Sequence, residues 1–141
     1  MTKAEELINL LVQNNLITLS ALAEIKKLPN FSVDPEEAII KNSSVDIEEL
    51  TKLKAKIYGF EYHSLLDVKI PDQVLNSIPG EVAENYKIVC FEIAQKKMKV
   101  GLLDPENFKA IEAIDFLAKE QGWRPEYFLI STLSFSQALK H

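Results

Sequence analysis

The sequence is poor in the residues that catalysis and metal binding most often use. Its 141 residues include one cysteine, two histidines and four glycines. Cys90 can form neither an internal disulfide nor a multi-thiol metal site, and its apolar surroundings favour a small buried residue over a nucleophile. The glycines form neither GxxxxGK[ST] nor GxGxxG. His63 and His141 lack an HxxxH or HExxH neighbour. We therefore predict no catalytic residue, no cofactor and no metal.

Basic residues and long apolar runs are also scarce. The net charge is −5, and Arg124 is the only arginine. Nucleic-acid-binding domains usually carry a basic stripe that contains arginine, so the composition argues against nucleic acid as a partner. Lys96, Lys97 and Lys99 cluster in a predicted turn, which we interpret as a solvated turn rather than a phosphate site. No run approaches the ~20 apolar residues that span a bilayer. No signal peptide is recognisable at the N-terminus, so we expect a cytoplasmic protein without direct membrane insertion.

Residues 86–121 read as strand, tight turn, strand and capped helix. Asp104 is the predicted N-cap of the helix, with Pro105 at its first position and Gly122 closing it. Apolar residues at a period of two predict two strands, each with one buried face, joined at residues 94–97. These residues are Val89, Phe91 and Ile93 in the first strand, and Met98, Val100 and Leu102 in the second. The apolar stripe of the helix comprises Phe108, Ile111, Ile114, Leu117 and Ala118.

Residues 1–59 contain a weak internal repeat of a helical hairpin. Thr18 and Asp46 are the predicted N-caps of the second helix in each copy, and Asp34-Pro35-Glu36 starts the third helix. The apolar positions Leu11, Val12, Ile17, Leu22 and Ile25 recur 28 residues later as Ile39, Ile40, Val45, Leu50 and Leu53. Two such hairpins predict a four-helix repeat subdomain.

The rest of the chain completes an α+β fold. Residues 60–85 are predicted to be a connector in which Pro71 and Pro79 each open a short helical turn. Residues 86–141 are predicted to form a ββαβα subdomain. Its third strand covers residues 127–130, and its last helix begins at the cap Ser134.

These motifs resemble, in order and spacing, the N-terminal domain of the type II secretion and type IV pilus assembly ATPases. The residues that carry the resemblance are Ile78-Pro79, Ala83, Tyr86 and the run Leu103-Asp104-Pro105-Glu106-Asn107, and the similarity extends over roughly residues 5–139. It implies a non-catalytic docking and regulatory domain ahead of an ATPase motor in the same polypeptide. The implied partners are inner-membrane platform proteins or cytoplasmic ring proteins of the machine. The implied location is cytoplasmic, peripheral to the inner membrane through those partners.

Some members of that family bind cyclic di-GMP through the two helical repeats. Their pattern starts each repeat with Arg and Leu-Gly, places a Gly before the second helix and ends with Gln. This sequence has Glu6 and Asp34 at the Arg positions, Ile8 and Glu36 at the first Gly, Asn15 and Ser43 at the second Gly, and Pro29 and Ile57 at the Gln. A carboxylate repels the dianion that an arginine would bind. We therefore predict no tight binding of cyclic di-GMP.

Two alternative functions remain open at this point. The first is a nucleotide second-messenger sensor that binds a cyclic di-GMP-like ligand between the repeats. The second is a stand-alone α/β domain that binds a small ligand, which an open reading frame continuing past His141 into a Walker-type domain would exclude. The ligand-binding residues of either are unknown.

Overall fold

The computed structural model describes residues 1–140, which form two compact units. The first unit is Met1–Gly59, and the second begins at Phe60. Residues 60–85, predicted as a connector, contribute one strand and two short helices to the second unit. None of the described helices is both long and apolar enough to cross a bilayer.

The first unit consists of two helical hairpins. Its elements are α1 (Lys3–Gln13), α2 (Leu19–Ile25), a 3-10 turn (Pro29–Phe31), α3 (Pro35–Asn42) and α4 (Ile47–Tyr58). The side chains of Thr2, Thr18, Asp34 and Asp46 each accept a hydrogen bond from the backbone N–H three residues later. Each therefore pairs an N–H group that the first helical turn leaves without a partner. The predicted caps Thr18 and Asp46 and the predicted start of α3 are confirmed.

The internal repeat marks the core of the first unit. Leu11 and its counterpart Ile39 are fully buried, and Leu22 is buried like Leu50. Ile25 is buried, whereas its counterpart Leu53 is only partly buried against the same cluster. Each hairpin has one apolar face, and these faces share one hydrophobic cluster.

The second unit is built on a four-stranded mixed sheet with strand order β1-β4-β3-β2. Strand β3 runs antiparallel to β2 and parallel to β4, and β4 runs parallel to β1. The third strand was predicted at residues 127–130, whereas β4 covers Arg124–Leu129. Strand β1 is only two residues long and was not predicted, because two residues show no alternation. The elements are β1 (Glu61–Tyr62), α5 (Asp72–Leu75), α6 (Gly80–Tyr86), β2 (Ile88–Ala94), β3 (Lys97–Leu102), α7 (Phe108–Gln121), β4 (Arg124–Leu129) and α8 (Thr132–Ala138).

Both faces of this sheet are buried, so the prediction of one buried face per strand is wrong. Ile88, Cys90, Met98, Val100 and Leu102 join α7 residues Ala110, Ile114 and Ala118 in one cluster. Val89, Phe91, Phe128 and Ile130 join Leu65, Ile70, Phe135 and Ala138 in another.

A β-bulge at Phe91 explains why the predicted alternation fails in β2. Cys90 pairs with Val100, but Glu92 pairs with Lys99, so Phe91 is an extra residue in its strand. An extra residue reverses the alternation beyond it. Ile93 consequently packs against the α7 cluster, on the opposite side from Phe91.

The starts of α7 and α8 also differ from the prediction. Asp104 Oδ1 accepts a hydrogen bond from Glu106 N, which closes a local turn before the helix begins. Asn107 is the N-cap of α7, accepting from Ala110 N at 3.1 Å. The cap of α8 is Ser131 rather than Ser134, whose buried hydroxyl accepts from Leu65 N instead. Predicted closure of α7 at Gly122 is confirmed, with φ at 75°.

Candidate docking and ligand-binding surfaces

The two helical repeats end their first helices differently. Asn15 has φ at 59°, its N–H donates to Val12 O, and Leu16 N donates to Leu11 O. These two bonds form a left-handed helix ending of the Schellman type. The repeat counterpart Ser43 is extended at φ −142°, and its hydroxyl donates to Ile39 O at 2.7 Å. The two copies of the repeat therefore differ in backbone conformation at Asn15 and Ser43, the positions aligned above with the second Gly of the cyclic di-GMP pattern.

The side chains aligned above with the cyclic di-GMP pattern are either exposed or engaged in contacts within the first unit. Glu6 lies exposed in the first turn of α1. Asp34 Oδ1 accepts from Glu37 N at 3.1 Å, and Glu36 Oε1 lies 3.0 Å from Lys54 Nζ. Ile8 and Ile57 pack against the hydrophobic cluster, and Pro29 opens the 3-10 turn.

A groove of about 340 Å³ lies between the end of α1 and the middle of α4. The Asn14 amide in its wall already donates to Leu10 O at 2.8 Å. Lys52 lies 2.8 Å from Glu49, and this hydrogen bond raises the pKa of the Lys52 ammonium. The groove can accommodate a small amphipathic group, and the charges of Glu49 and Lys52 in its wall compensate each other. Its lining residues are Asn14, Leu16, Glu49, Lys52, Leu53 and Lys56.

Helix α7 presents two exposed aromatic residues. Phe108 and Phe116 are 70% and 66% exposed, respectively. Phe108 was predicted to belong to the apolar stripe, which is wrong: the buried stripe is Ala110, Ile114 and Ala118, at a spacing of four. The spacing of the buried residues turns Phe108 and Phe116 away from the sheet.

The buried titratable groups of the second unit serve packing. Burial raises the pKa of the Cys90 thiol, which disfavours the nucleophilic thiolate. The Tyr127 hydroxyl donates to Asp115 Oδ1 at 2.6 Å and to Ile111 O at 3.1 Å, and so joins β4 to α7. Burial raises the pKa of Tyr127 far above its usual range, and the hydrogen bond to Asp115 and its charge raise it further. Among residues 1–140, no cluster of three or more His, Cys, Asp or Glu side chains could hold a metal ion.

Comparison with known proteins identifies the family of this chain. Residues 58–141 match the MshEN domain family. The chain is 26% identical over 132 residues to the type IV pilus assembly ATPase PilB of Myxococcus xanthus. This alignment covers 93% of the chain but 23% of PilB, so the chain spans less than a quarter of that relative.

Two solved structures have a similar fold. The structure of MshE with cdg (cyclic di-GMP) superposes with a TM-score of 0.66 at 12% identity, covering 94% of this chain and 95% of that one. The N-terminal domain of XpsE superposes with a TM-score of 0.65 at 9% identity, covering 99% and 95%. The chain therefore belongs to the MshEN domain family, which forms the N-terminal region of type II secretion and type IV pilus ATPases rather than their catalytic part.

Proposed function

We propose that this chain is a non-catalytic docking and regulatory domain that couples an ATPase motor to the inner-membrane assembly proteins of a pilus or secretion machine. The observation that carries the proposal is the alignment of nearly the whole chain with less than a quarter of PilB, outside the catalytic part. On this proposal the motor lies in the same polypeptide, and the domain is cytoplasmic and reaches the membrane through its partners.

The distribution of side chains supports an interaction role. The apolar residues of each unit fill their own hydrophobic clusters. The buried thiol and phenol serve packing and hydrogen bonding, as their pKa directions indicate. The exposed large apolar side chains include Leu19 in α2 and Phe108 and Phe116 in α7. Exposed aromatic residues are typical anchors of protein–protein interfaces.

A direct binding measurement tests the docking role. The tagged chain is mixed with purified cytoplasmic parts of the platform and ring proteins encoded with it, and binding is measured by biolayer interferometry. We expect micromolar or tighter binding to at least one of them. The double variant Phe108→Ser/Phe116→Ser removes the two exposed aromatic residues and leaves the buried stripe of α7 intact, so it should bind more weakly. A circular dichroism melt verifies that it is folded. Failure of the unmodified chain to bind any of these partners would contradict the proposal.

A second-messenger sensor is the alternative, because one structural relative, MshE, was solved with cyclic di-GMP. We propose that this chain does not bind that ligand tightly. Carboxylates occupy both Arg positions of the pattern, at Glu6 and Asp34, and Asp34 is engaged in capping α3. Calorimetric titration, with the MshE domain as the positive control, is expected to show no micromolar binding by this chain. A micromolar or tighter affinity would overturn this proposal in favour of the sensor.

A further inference from the structure

Three basic residues form a row at one end of the sheet in the second unit. Lys97 in β3 lies in register with Arg124 in the parallel strand β4. Arg124 N donates to Lys96 O at 2.7 Å, so the backbone holds Lys96 beside this pair. All three side chains are exposed. We call Lys96, Lys97 and Arg124 the cationic row.

The neighbouring charges on the sheet are compensated, whereas those of the cationic row are not. Two residues further along β3, Lys99 Nζ lies 3.2 Å from Glu92 Oε2, and Lys99 is in register with Glu126 of β4. Within the described part of the chain, no carboxylate lies within ion-pair distance of the cationic row. The chain as a whole has more acidic than basic residues, with a net charge of −5, so the lack of a carboxylate beside the cationic row does not follow from the composition.

Holding the cationic row together costs free energy. Like charges directly opposite each other on neighbouring strands repel. Lys96 is placed by the hairpin turn between β2 and β3, in which Gln95 and Lys96 have φ of 52° and 66°, a left-handed conformation that non-glycine residues rarely adopt. The two positive φ values and the two-residue length are typical of a type I′ hairpin turn. An anionic group bound at the row would relieve the repulsion.

We propose that the cationic row is the docking site for an acidic segment of a partner protein. The planar guanidinium of Arg124 can bind a carboxylate through two parallel hydrogen bonds, and Lys97 beside it can bind a second one. A membrane surface fits less well, because three cations contribute only about 1 kcal/mol each at an anionic leaflet. A membrane-binding surface usually also presents exposed apolar side chains, but the exposed large apolar residues of the chain lie outside residues 94–97. The inference rests on the proposed docking role and names the chemistry of its partner.

Fluorescence anisotropy with a fluorescein-labelled hexaglutamate peptide tests this inference. The double variant Lys97→Gln/Arg124→Gln is compared with Lys69→Gln/Lys109→Gln, which removes the same charge from other exposed positions of the second unit. We expect the first pair to weaken binding roughly tenfold and the second pair by less than about twofold. Arg124→Lys should give an intermediate affinity, because it keeps the charge but loses the paired hydrogen bonds. Circular dichroism melts verify that each variant is folded.

Three outcomes would overturn the inference. They are equal losses in the two double variants, no binding of the peptide at low ionic strength, and preferential binding to phosphatidylglycerol vesicles over the peptide. The variants are also measured against the platform and ring proteins. Undiminished binding of Lys97→Gln/Arg124→Gln there would reject the cationic row while leaving the docking proposal intact. Absence of all such binding by the unmodified chain would instead reject the docking proposal, while the peptide measurement still reports on the row.

Discussion

The backbone of Gly101 lies directly against the side chain of Ile130. A Cβ atom at Gly101 would be 2.8 Å from Ile130 Cδ1 and 2.9 Å from its Cγ2, closer than real Cβ contacts. Both residues are buried, Gly101 within β3 and Ile130 directly after β4, where the surroundings resist displacement. One of the four glycines of the chain is thus required by packing rather than by a turn.

We expect Gly101→Ala to lower the free energy of unfolding by about 1–3 kcal/mol, because overpacking forces Ile130 to shift. Ile130→Val removes Cδ1 and should cost about 1 kcal/mol alone, but less in the Gly101→Ala background. Urea unfolding of the two single variants and the double variant measures this coupling. Strict additivity would show that the contact does not determine the effect.

The second prediction concerns the contribution of the N-cap of α7 to stability. Asn107 accepts from Ala110 N and its amide donates to Tyr86 O at 3.1 Å, whereas Asp104 only closes a local turn. We expect Asn107→Ala to destabilise the second unit by about 1 kcal/mol or more, and Asp104→Ala by less. Asn107→Asp keeps the cap acceptor, but it loses the donor to Tyr86 O and places a carboxylate oxygen near that carbonyl, so its stability should lie between those of wild type and Asn107→Ala. Thermal melts compare the three, and a larger effect at Asp104 would contradict the assignment.

We expect Tyr127 to contribute less to the free energy of unfolding in alkali than at neutral pH. Its pKa in the folded state is raised by burial and by Asp115, above the unfolded value of about 10. Its stabilising contribution is therefore complete below about pH 10 and is lost above it, since the unfolded chain gives up the proton first. The difference in unfolding free energy between wild type and Tyr127→Phe, measured from neutral pH to pH about 11, should shrink with rising pH. A difference that does not change with pH would refute this linkage.

The ion pair between Glu36 and Lys54 makes a fourth prediction, in the first unit. The side chains are 30% and 15% exposed, and the pair joins the first turn of α3 to α4. We expect a coupling free energy of about 1 kcal/mol in a double-mutant cycle of Glu36→Gln and Lys54→Met. The exposed pair Lys27–Glu24 is the control and should give less. Equal couplings in the two pairs would show that partial burial adds nothing.

Local chemistry accounts for the features that were predicted correctly. Thr18 and Asp46 cap helices because a hydroxyl or carboxylate pairs the first orphan N–H groups, whatever lies around them. Gly122 ends α7 because it adopts a left-handed φ. The N-terminal repeat and the hairpin followed by α7 could be predicted for the same reason, because they depend on residues that are close together in the sequence.

Competition between nearby groups accounts for the mistaken boundaries. Asp104 and Asn107 are both good capping residues, three positions apart. The chain selects Asn107 because its amide can also reach Tyr86 O, which is remote in sequence. Ser134 likewise looks like a cap but is recruited by Leu65 N, 69 residues away. Propensity alone does not rank such candidates, since long-range partners decide between them.

The sequence by itself determined the helical repeats, the order of the main elements and the family resemblance, because these depend on periodicity, capping and motif order along the chain. Only the tertiary structure decided that β1 joins the sheet, that the bulge at Phe91 reverses the alternation of β2, and that both sheet faces are buried. It alone also placed Arg124 beside Lys97, which is 27 positions earlier in the chain. Strand pairing is non-local, so residues that share a surface need not share a pattern in the sequence.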